Sequence, residues 1–228
     1  MKNAIYGIFL LGITLFTGPA LSGTTNNVYI DQIGSGSTIG VTQTGLGNEV
    51  GNETTNTILH GNGQTVTISQ IGSGNTHAVN MQGGGATLAS AVTGSLNTTT
   101  INCGAAPSTA CTDTNIVANI TGDNNTLTNK ADAKSTMTTN ITGDQNQTTI
   151  TSSTTNLLGA RATVTEVGGQ NTVNITQNGP AGANGFMTAV DLTGSSNTVG
   201  VTQNGTIDSN VNIKSVGSNN SITVTSGN

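Results

Sequence analysis

The sequence predicts an all-β fold, a two-sided parallel β-solenoid of about eight strand-turn-strand repeats of roughly 21–28 residues. A glycine followed three places later by asparagine recurs along the chain, and Val, Ile and Thr alternate with period two on both sides of it. In addition, only 2% of the residues are aromatic and 7% are charged. A chain with so few large apolar groups can fold when each coil stacks on the next.

The recurring glycines mark tight turns, because glycine adopts a positive φ without steric cost. In the first turn Ser37 stands in place of asparagine, and the pattern leaves the path of residues 48–62 undefined. The predicted turn glycines are Gly34, Gly72, Gly94, Gly122, Gly143, Gly168, Gly194 and Gly217.

The asparagines and glutamines of the repeat are predicted to point inward and to form amide ladders from coil to coil. After Asn171, for example, Val173 and Gln177 share one strand face, while Thr172 and Thr176 share the other. The alternative is that these amides decorate polar turns; on either interpretation they are structural rather than catalytic. The predicted ladder residues are Gln32, Gln43, Gln70, Asn75, Asn97, Asn125, Asn146, Asn171, Gln177, Asn197, Gln203 and Asn220.

Residues 1–22 are typical of a secretory signal peptide, which leaves residues 23–228 as the repeat domain. Lys2 precedes an apolar run, and a small-residue cleavage site ends at Ser22. The apolar run is shorter than the ~20 residues that a membrane-spanning helix needs, so the alternative of a membrane anchor is disfavoured. In an exported protein, Cys103 and Cys111, in a loop insertion near residues 102–115, are most simply one local disulfide.

Composition and spacing argue against an enzyme, a metal site or a cofactor site. The net charge is −5 without a basic patch, which disfavours nucleic acid and anionic membranes as partners. His60 and His77 have no evident acidic or thiol residues placed to complete a catalytic or metal-binding set. Asp123 and Asp144 occupy equivalent turns and could hold calcium, although two solvated turn carboxylates are the simpler interpretation.

Two segments, QIGSGSTIGVTQTG (32–45) and QIGSGNTHAVNMQ (70–82), resemble curlin repeats, whose pattern is Gln-x-Gly-x-x-Asn, alternating aliphatics and a second Gln. The segment from Gln43 to Asn48 matches the first half again, whereas Glu166 replaces the first Gln in a later copy. The resemblance implies a secreted subunit that polymerises end to end into extracellular amyloid fibres of biofilm matrix. It also implies export through the periplasm of a Gram-negative bacterium, with a nucleating subunit and an outer-membrane secretion channel as partners.

The first coil (VYIDQIG) and the last (SITVTSGN) are both in strand pattern, so we expect uncapped edges that invite another copy. Charged residues within the repeats, among them Lys130, are expected to slow self-stacking.

A monomeric ice-binding or adhesin module is the alternative function, because threonine recurs one place after the asparagine position. Irregular coil lengths argue against the lattice matching that ice binding requires. The residues of this face are Thr38, Thr76, Thr98, Thr126, Gln147, Thr172, Thr198 and Ser221, with Thr42, Thr151, Thr176, Thr202 and Thr225 in register.

Overall fold

The computed structural model describes residues 13–17, 25–52, 54, 57–103, 112–131, 135–153, 160–179 and 185–227. These residues form strands and turns, and the strands pair in parallel in two sheets. The predicted all-β, parallel β-solenoid is confirmed. Within the same ranges, no helix has the length and apolar character needed to cross a membrane.

Each coil contributes one strand level to each sheet. The first sheet contains, in spatial order, β1 (Ile13–Thr17), β4 (Thr38–Thr44), β7 (Thr65–Ile71), β9 (Thr87–Thr93), β11 (Asn115–Thr121), β13 (Thr136–Thr142), β15 (Ala160–Val167), β17 (Phe186–Thr193) and β19 (Ser209–Val216). The second sheet contains β2 (Asn27–Val28), β5 (Glu49–Val50), β8 (Thr76–Gln82), β10 (Thr98–Cys103), β12 (Thr126–Lys130), β14 (Gln147–Ser153), β16 (Thr172–Asn178), β18 (Thr198–Asn204) and β20 (Ser221–Gly227). Two further strands, β3 (Ile30–Ile33) and β6 (Thr57–His60), continue the levels of β2 and β5.

Alternation along each strand separates the core from the surface. Between β16 and β18, Val173 pairs with Val199 and Gln177 with Gln203, and all four side chains are buried. The residues between them face outward, as the period of two requires. Aliphatic side chains from the two sheets therefore meet in a main core that runs along the stack, with two smaller apolar clusters beside it.

Two kinds of turn connect the sheets. The asparagine turn leads from the first sheet to the second and begins with a positive-φ glycine such as Gly72 (φ +123°). A Cβ atom at Gly72 would lie 1.9 Å from the carbonyl oxygen of Gly94 in the next coil. Glycine is therefore required there by both the backbone angle and the close stacking of the turns. The return turn leads from the second sheet back to the first.

All differences in turn length lie on one side of the solenoid. From 45–48 onward every asparagine turn has four residues, whereas the connections that return to the first sheet run from four residues (205–208) to eleven (104–114). The segment 48–62, whose path the sequence left undefined, adds residues 51–56 between β5 and β6 within the second sheet. Cys103 ends β10, while Cys111 and the predicted disulfide lie outside the described residues.

The structure corrects the position of Gly34 in the repeat. Gly34 begins a return turn, and the asparagine turn that follows it begins at Gly45 and ends at Asn48. Gly34 (φ +130°) and an asparagine-turn glycine such as Gly194 (φ +125°) both precede a strand of alternating aliphatics, so the pattern alone merges the two kinds of turn. The long gap between Gly34 and Gly72 in the predicted series therefore contains two further turns, the asparagine turn 45–48 and the return turn 61–64.

A short strand within the predicted signal peptide is also part of the first sheet. Strand β1 pairs in parallel with β4, with Ile13 opposite Ile39 and Thr17 opposite Gln43. The rest of residues 1–22 lies outside the described ranges.

Candidate functional site

A ladder of asparagines runs through the asparagine turns. In a typical rung, the backbone N and Nδ2 of Asn146 donate to Oδ1 of Asn125 (2.9 and 3.1 Å), and Nδ2 also donates to the Gly168 carbonyl (2.9 Å). Oδ1 of Asn146 in turn accepts from the backbone N of Asn171 (3.0 Å). The rungs are Asn26, Asn48, Asn75, Asn97, Asn125, Asn146, Asn171, Asn197 and Asn220.

The ladder differs from the predicted one in its partners. Each side-chain carbonyl was expected to accept from the NH₂ group of the neighbouring coil, and in the structure the acceptor oxygen also receives the backbone N–H of the following turn. Each side chain thus satisfies donors that a four-residue turn would otherwise leave unpaired. Asn26 and Asn48 were not predicted to be rungs. The segment from Gln43 to Asn48 fits the Gln-x-Gly-x-x-Asn pattern, and this match was a signal for Asn48.

The glutamines form two short ladders in different sheets. In the first sheet Nε2 of Gln43 donates to Oε1 of Gln70 (2.8 Å), and in the second Nε2 of Gln177 donates to Oε1 of Gln203 (2.9 Å). All four side chains are buried. Gln32 is not part of either ladder: it is half-buried, and its Nε2 donates to the carbonyl of Gly34 (3.3 Å).

The turn carboxylates bond to the backbone. Oδ1 of Asp123 accepts from the N–H of Ser95 (2.6 Å), and Oδ1 of Asp144 accepts from the N–H of Asp123 (2.8 Å). Among the described residues, no group of three or more His, Cys, Asp and Glu side chains is placed to hold a metal ion.

Glu166 is a buried carboxyl in the column of the first sheet that begins with Gln43 and Gln70. Its neighbours in register are Ile141 and Leu192, and burial raises its pKa to about 7. The Thr148 hydroxyl donates to Oε1 and opposes the shift only in part, while Oε2 has no hydrogen-bond partner among the described residues. The carboxyl is therefore held in its neutral form over the mildly acidic range.

His77 is the second buried titratable group. It lies between Val50 and Thr99 in the second sheet, and neither ring nitrogen has a hydrogen-bond partner in the described part of the chain. Burial lowers the pKa of this imidazole to about 4, because the charged form loses its hydration. His60, by contrast, is half-exposed and lies 3.2 Å from Asp31.

We expect His77→Val to protect the protein in acid. Because the pKa of His77 is lowered in the folded state, the contribution of neutral His77 to folding stability is fully present above pH 6.5 and is lost as pH falls towards 4. The advantage of the variant over the wild type should therefore be about 3 kcal/mol larger at pH 4 than at pH 7.5, at 1.36 kcal/mol per pKa unit. Urea unfolding at the two pH values measures this, with His60→Gln as the control; an advantage independent of pH would contradict it.

The outward threonines occupy both sheets rather than one. In the second sheet Thr76, Thr98 and Thr126 are in register, and the same column continues through Gln147, Thr172, Thr198 and Ser221. The expectation that Thr38 and Thr42 belong to this face is wrong, because β4 lies in the first sheet, where they pair with Thr65 and Ser69. Their face was predicted wrongly because the Gly34 turn resembles the asparagine turns in sequence.

The aliphatic side chains of the last described coil are less buried than those of the coil before it. In β18 Val199 and Val201 are fully buried, whereas the equivalent Ile222 and Val224 of β20 are only partly buried. In the described part of the chain, β19 and β20 are the final strands of their sheets. Val28 and Ile30 at the opposite end are likewise only partly buried.

Comparison with known proteins gives one family match. No curated protein and no solved structure matches the chain. Residues 22–45 match the family model of the curlin associated repeat, and this segment contains Asn26, β2, β3, one return turn and β4. The resemblance to curlin repeats is thus confirmed at residues 22–45, which contain the first complete coil of the solenoid.

Proposed function

We propose that this chain is a secreted, non-enzymatic structural subunit that polymerises end to end into extracellular curli-like amyloid fibres for surface adhesion and biofilm matrix. The observation that carries the proposal is the pair of parallel sheets and the asparagine ladder that repeat in register from coil to coil through the described residues. A stack of this kind presents strand edges to which a further copy can add. The curlin match in the first coil supports the same function.

In this proposal the protein is exported through the periplasm of a Gram-negative bacterium and functions outside the cell. A nucleating subunit and an outer-membrane secretion channel are its expected partners, by analogy with the family of the matching repeat.

Seeded polymerisation of residues 23–228 tests the fibre function. We expect thioflavin-positive growth, a lag shortened by preformed seeds and a ~4.7 Å meridional reflection in fibre diffraction. A β-rich monomer that stays soluble for days at high concentration would overturn the proposal. That outcome would favour the alternative of a monomeric, threonine-faced adhesin or ice-binding module.

The glutamine ladder of the second sheet provides a residue-level prediction. Replacing both Gln177 and Gln203 with alanine removes a buried bond of 2.9 Å and donations to backbone carbonyls of the first sheet. At about 1–3 kcal/mol for each buried group left unpaired, we expect slower assembly and a lower urea midpoint. Thr176→Ala with Thr202→Ala, on the outward face of the same strands, is the matched control. Equal effects of the two pairs would contradict an inward ladder.

A further inference from the structure

The outer surface of the first sheet carries four straight columns of side chains over β4, β7, β9, β11 and β13. These five strands have seven residues each and pair residue for residue. Their first, third, fifth and seventh residues point outward, and none of these residues is charged. This surface is called the uncharged face below.

Charge begins on the next strands of the same sheet. Arg161 lies outward on β15, and Nζ of Lys214 on β19 lies 3.6 Å from Oδ2 of Asp191 on β17. The uncharged face therefore ends at β13. Charged residues are depleted at the centre of protein interfaces, so a face without them is suited to contact with another protein surface.

Apolar side chains distinguish the uncharged face from the second sheet. Ile71 is 46% exposed, and Val117, Ala89 and Ala91 also point outward. The outward residues of β16, β18 and β20 in the second sheet are uncharged as well, but each of them is Thr, Ser, Asn or Gly. Removal from water favours apolar groups, so the uncharged face of the first sheet gains more from being covered.

The smallest side chains lie in the middle of the uncharged face. Ala89 and Ala91 are the third and fifth residues of β9, the central strand of the five, and Gly40 is the third residue of β4. A twofold axis that runs parallel to the stack, between the third and fifth columns, places Ala89 of one copy over Ala91 of another. Small side chains at the centre let two sheets approach closely and interdigitate. Both stacks then have the same polarity.

The uncharged face is large enough for a specific contact. Seven residues at ~3.3 Å and five strands at ~4.8 Å give about 550 Å² for each copy. Two copies would cover about 1,100 Å², which exceeds the ~1,000 Å² expected of a specific interface. Nδ2 of Asn140 already donates to Oδ1 of Asn119 (3.0 Å), so these outward amides satisfy part of their hydrogen bonding within one copy.

We propose that two copies associate side by side through their uncharged faces, with Ala89 of each copy over Ala91 of the other. This contact goes beyond the end-to-end growth proposed above, because it joins copies across the stack rather than along it. It does not depend on the fibre, since two soluble copies present the same faces.

Single charges in the full chain test the face. Ala91→Glu buries a carboxylate without a partner at the centre of the contact and should raise the dissociation constant of the pair by about tenfold or more. Ala78→Glu is the matched control, because Ala78 is partly buried like Ala91 but lies outward on β8 in the second sheet. Sedimentation velocity of the freshly purified chain, before fibres grow, measures the dissociation constant. Equal values for the wild type and both variants would overturn the choice of face.

A pair of opposite charges tests the twofold arrangement. Ala89→Lys alone should weaken pairing as Ala91→Glu does, because each introduced charge is buried over an alanine. An equal mixture of the two variants should pair more tightly than either alone, since the introduced lysine of one copy lies over the introduced glutamate of the other. A mixture that pairs no more tightly than the single variants would overturn the arrangement.

The outcomes separate side-by-side pairing from the fibre function. A wild-type chain that sediments as a monomer at its highest soluble concentration would overturn the pairing, and seeded growth of that chain would leave the fibre function standing. Pairing of a chain that never grows from seeds would overturn the fibre function and support the pairing.

Discussion

Asn146→Ala is expected to lower the free energy of unfolding by about 3–5 kcal/mol, because it removes three hydrogen bonds from a fully buried rung. The backbone N–H of Asn171 loses its partner at a buried site, and the carbonyl of Gly168 loses one at a partly buried site. Their desolvation is then uncompensated, which costs more than the lost bonds alone. Urea unfolding monitored by circular dichroism measures the change.

The end of the same ladder provides the control for Asn146→Ala. Asn220 is only half-buried and bonds to Asn197 through its backbone N–H, which alanine retains. Asn220→Ala should therefore cost less than about 1 kcal/mol, a typical value for a surface substitution. Similar losses at the two positions would mean that the asparagines act through turn conformation rather than through the ladder.

Glu166→Gln should stabilise the protein at pH 7.5 by about 3 kcal/mol, at 1.36 kcal/mol for each of the pKa units between the ordinary value near 4.5 and about 7. The folded state binds this proton more tightly than the unfolded state does. The contribution of the carboxyl to stability is therefore fully present below pH 4.5 and is lost as pH rises through 7. The amide variant carries no such loss and can still accept a hydrogen bond from Thr148.

The two buried titratable groups should oppose each other in the wild type. As pH rises from about 4.5 to 6.5, the contribution of Glu166 to the free energy of unfolding falls and that of His77 grows. The two pKa shifts are similar in size, so the two changes nearly cancel. Unfolding free energies measured across this range should be nearly flat for the wild type and should rise with pH for Glu166→Gln. Glu49→Gln, on an outward position of β5, is the control; a flat profile for Glu166→Gln would contradict the assignment.

The alternation of Val and Ile with polar residues was sufficient to predict the sheets, because a period of two determines which residues are buried whatever the coil length. It could not distinguish the two kinds of turn. Gly34 and Gly194 both have positive φ and both precede an aliphatic strand, and only the stacking of the coils assigns them to opposite sides.

Ladder membership was harder to predict than strand position. Gln32 fits the pattern as well as Gln43, but its neighbour in register is Leu59 rather than another glutamine. A buried amide forms a rung only when the next coil presents a second one, so membership depends on pairing between coils. The environment of Glu166 also depends on contacts between strands that are not visible in the local sequence pattern, because its partner Thr148 lies in the opposite sheet.

The constant asparagine turn and the variable return turn make this solenoid tolerant of inserted sequence on one side only. The stacking register is held by four-residue turns and their ladder, so length added between a second-sheet strand and the next first-sheet strand leaves every rung aligned. The eleven residues between β10 and β11 are a natural example. A foreign peptide spliced between β14 and β15 would be displayed once per subunit along the same side of a fibre, at a spacing defined by the stack.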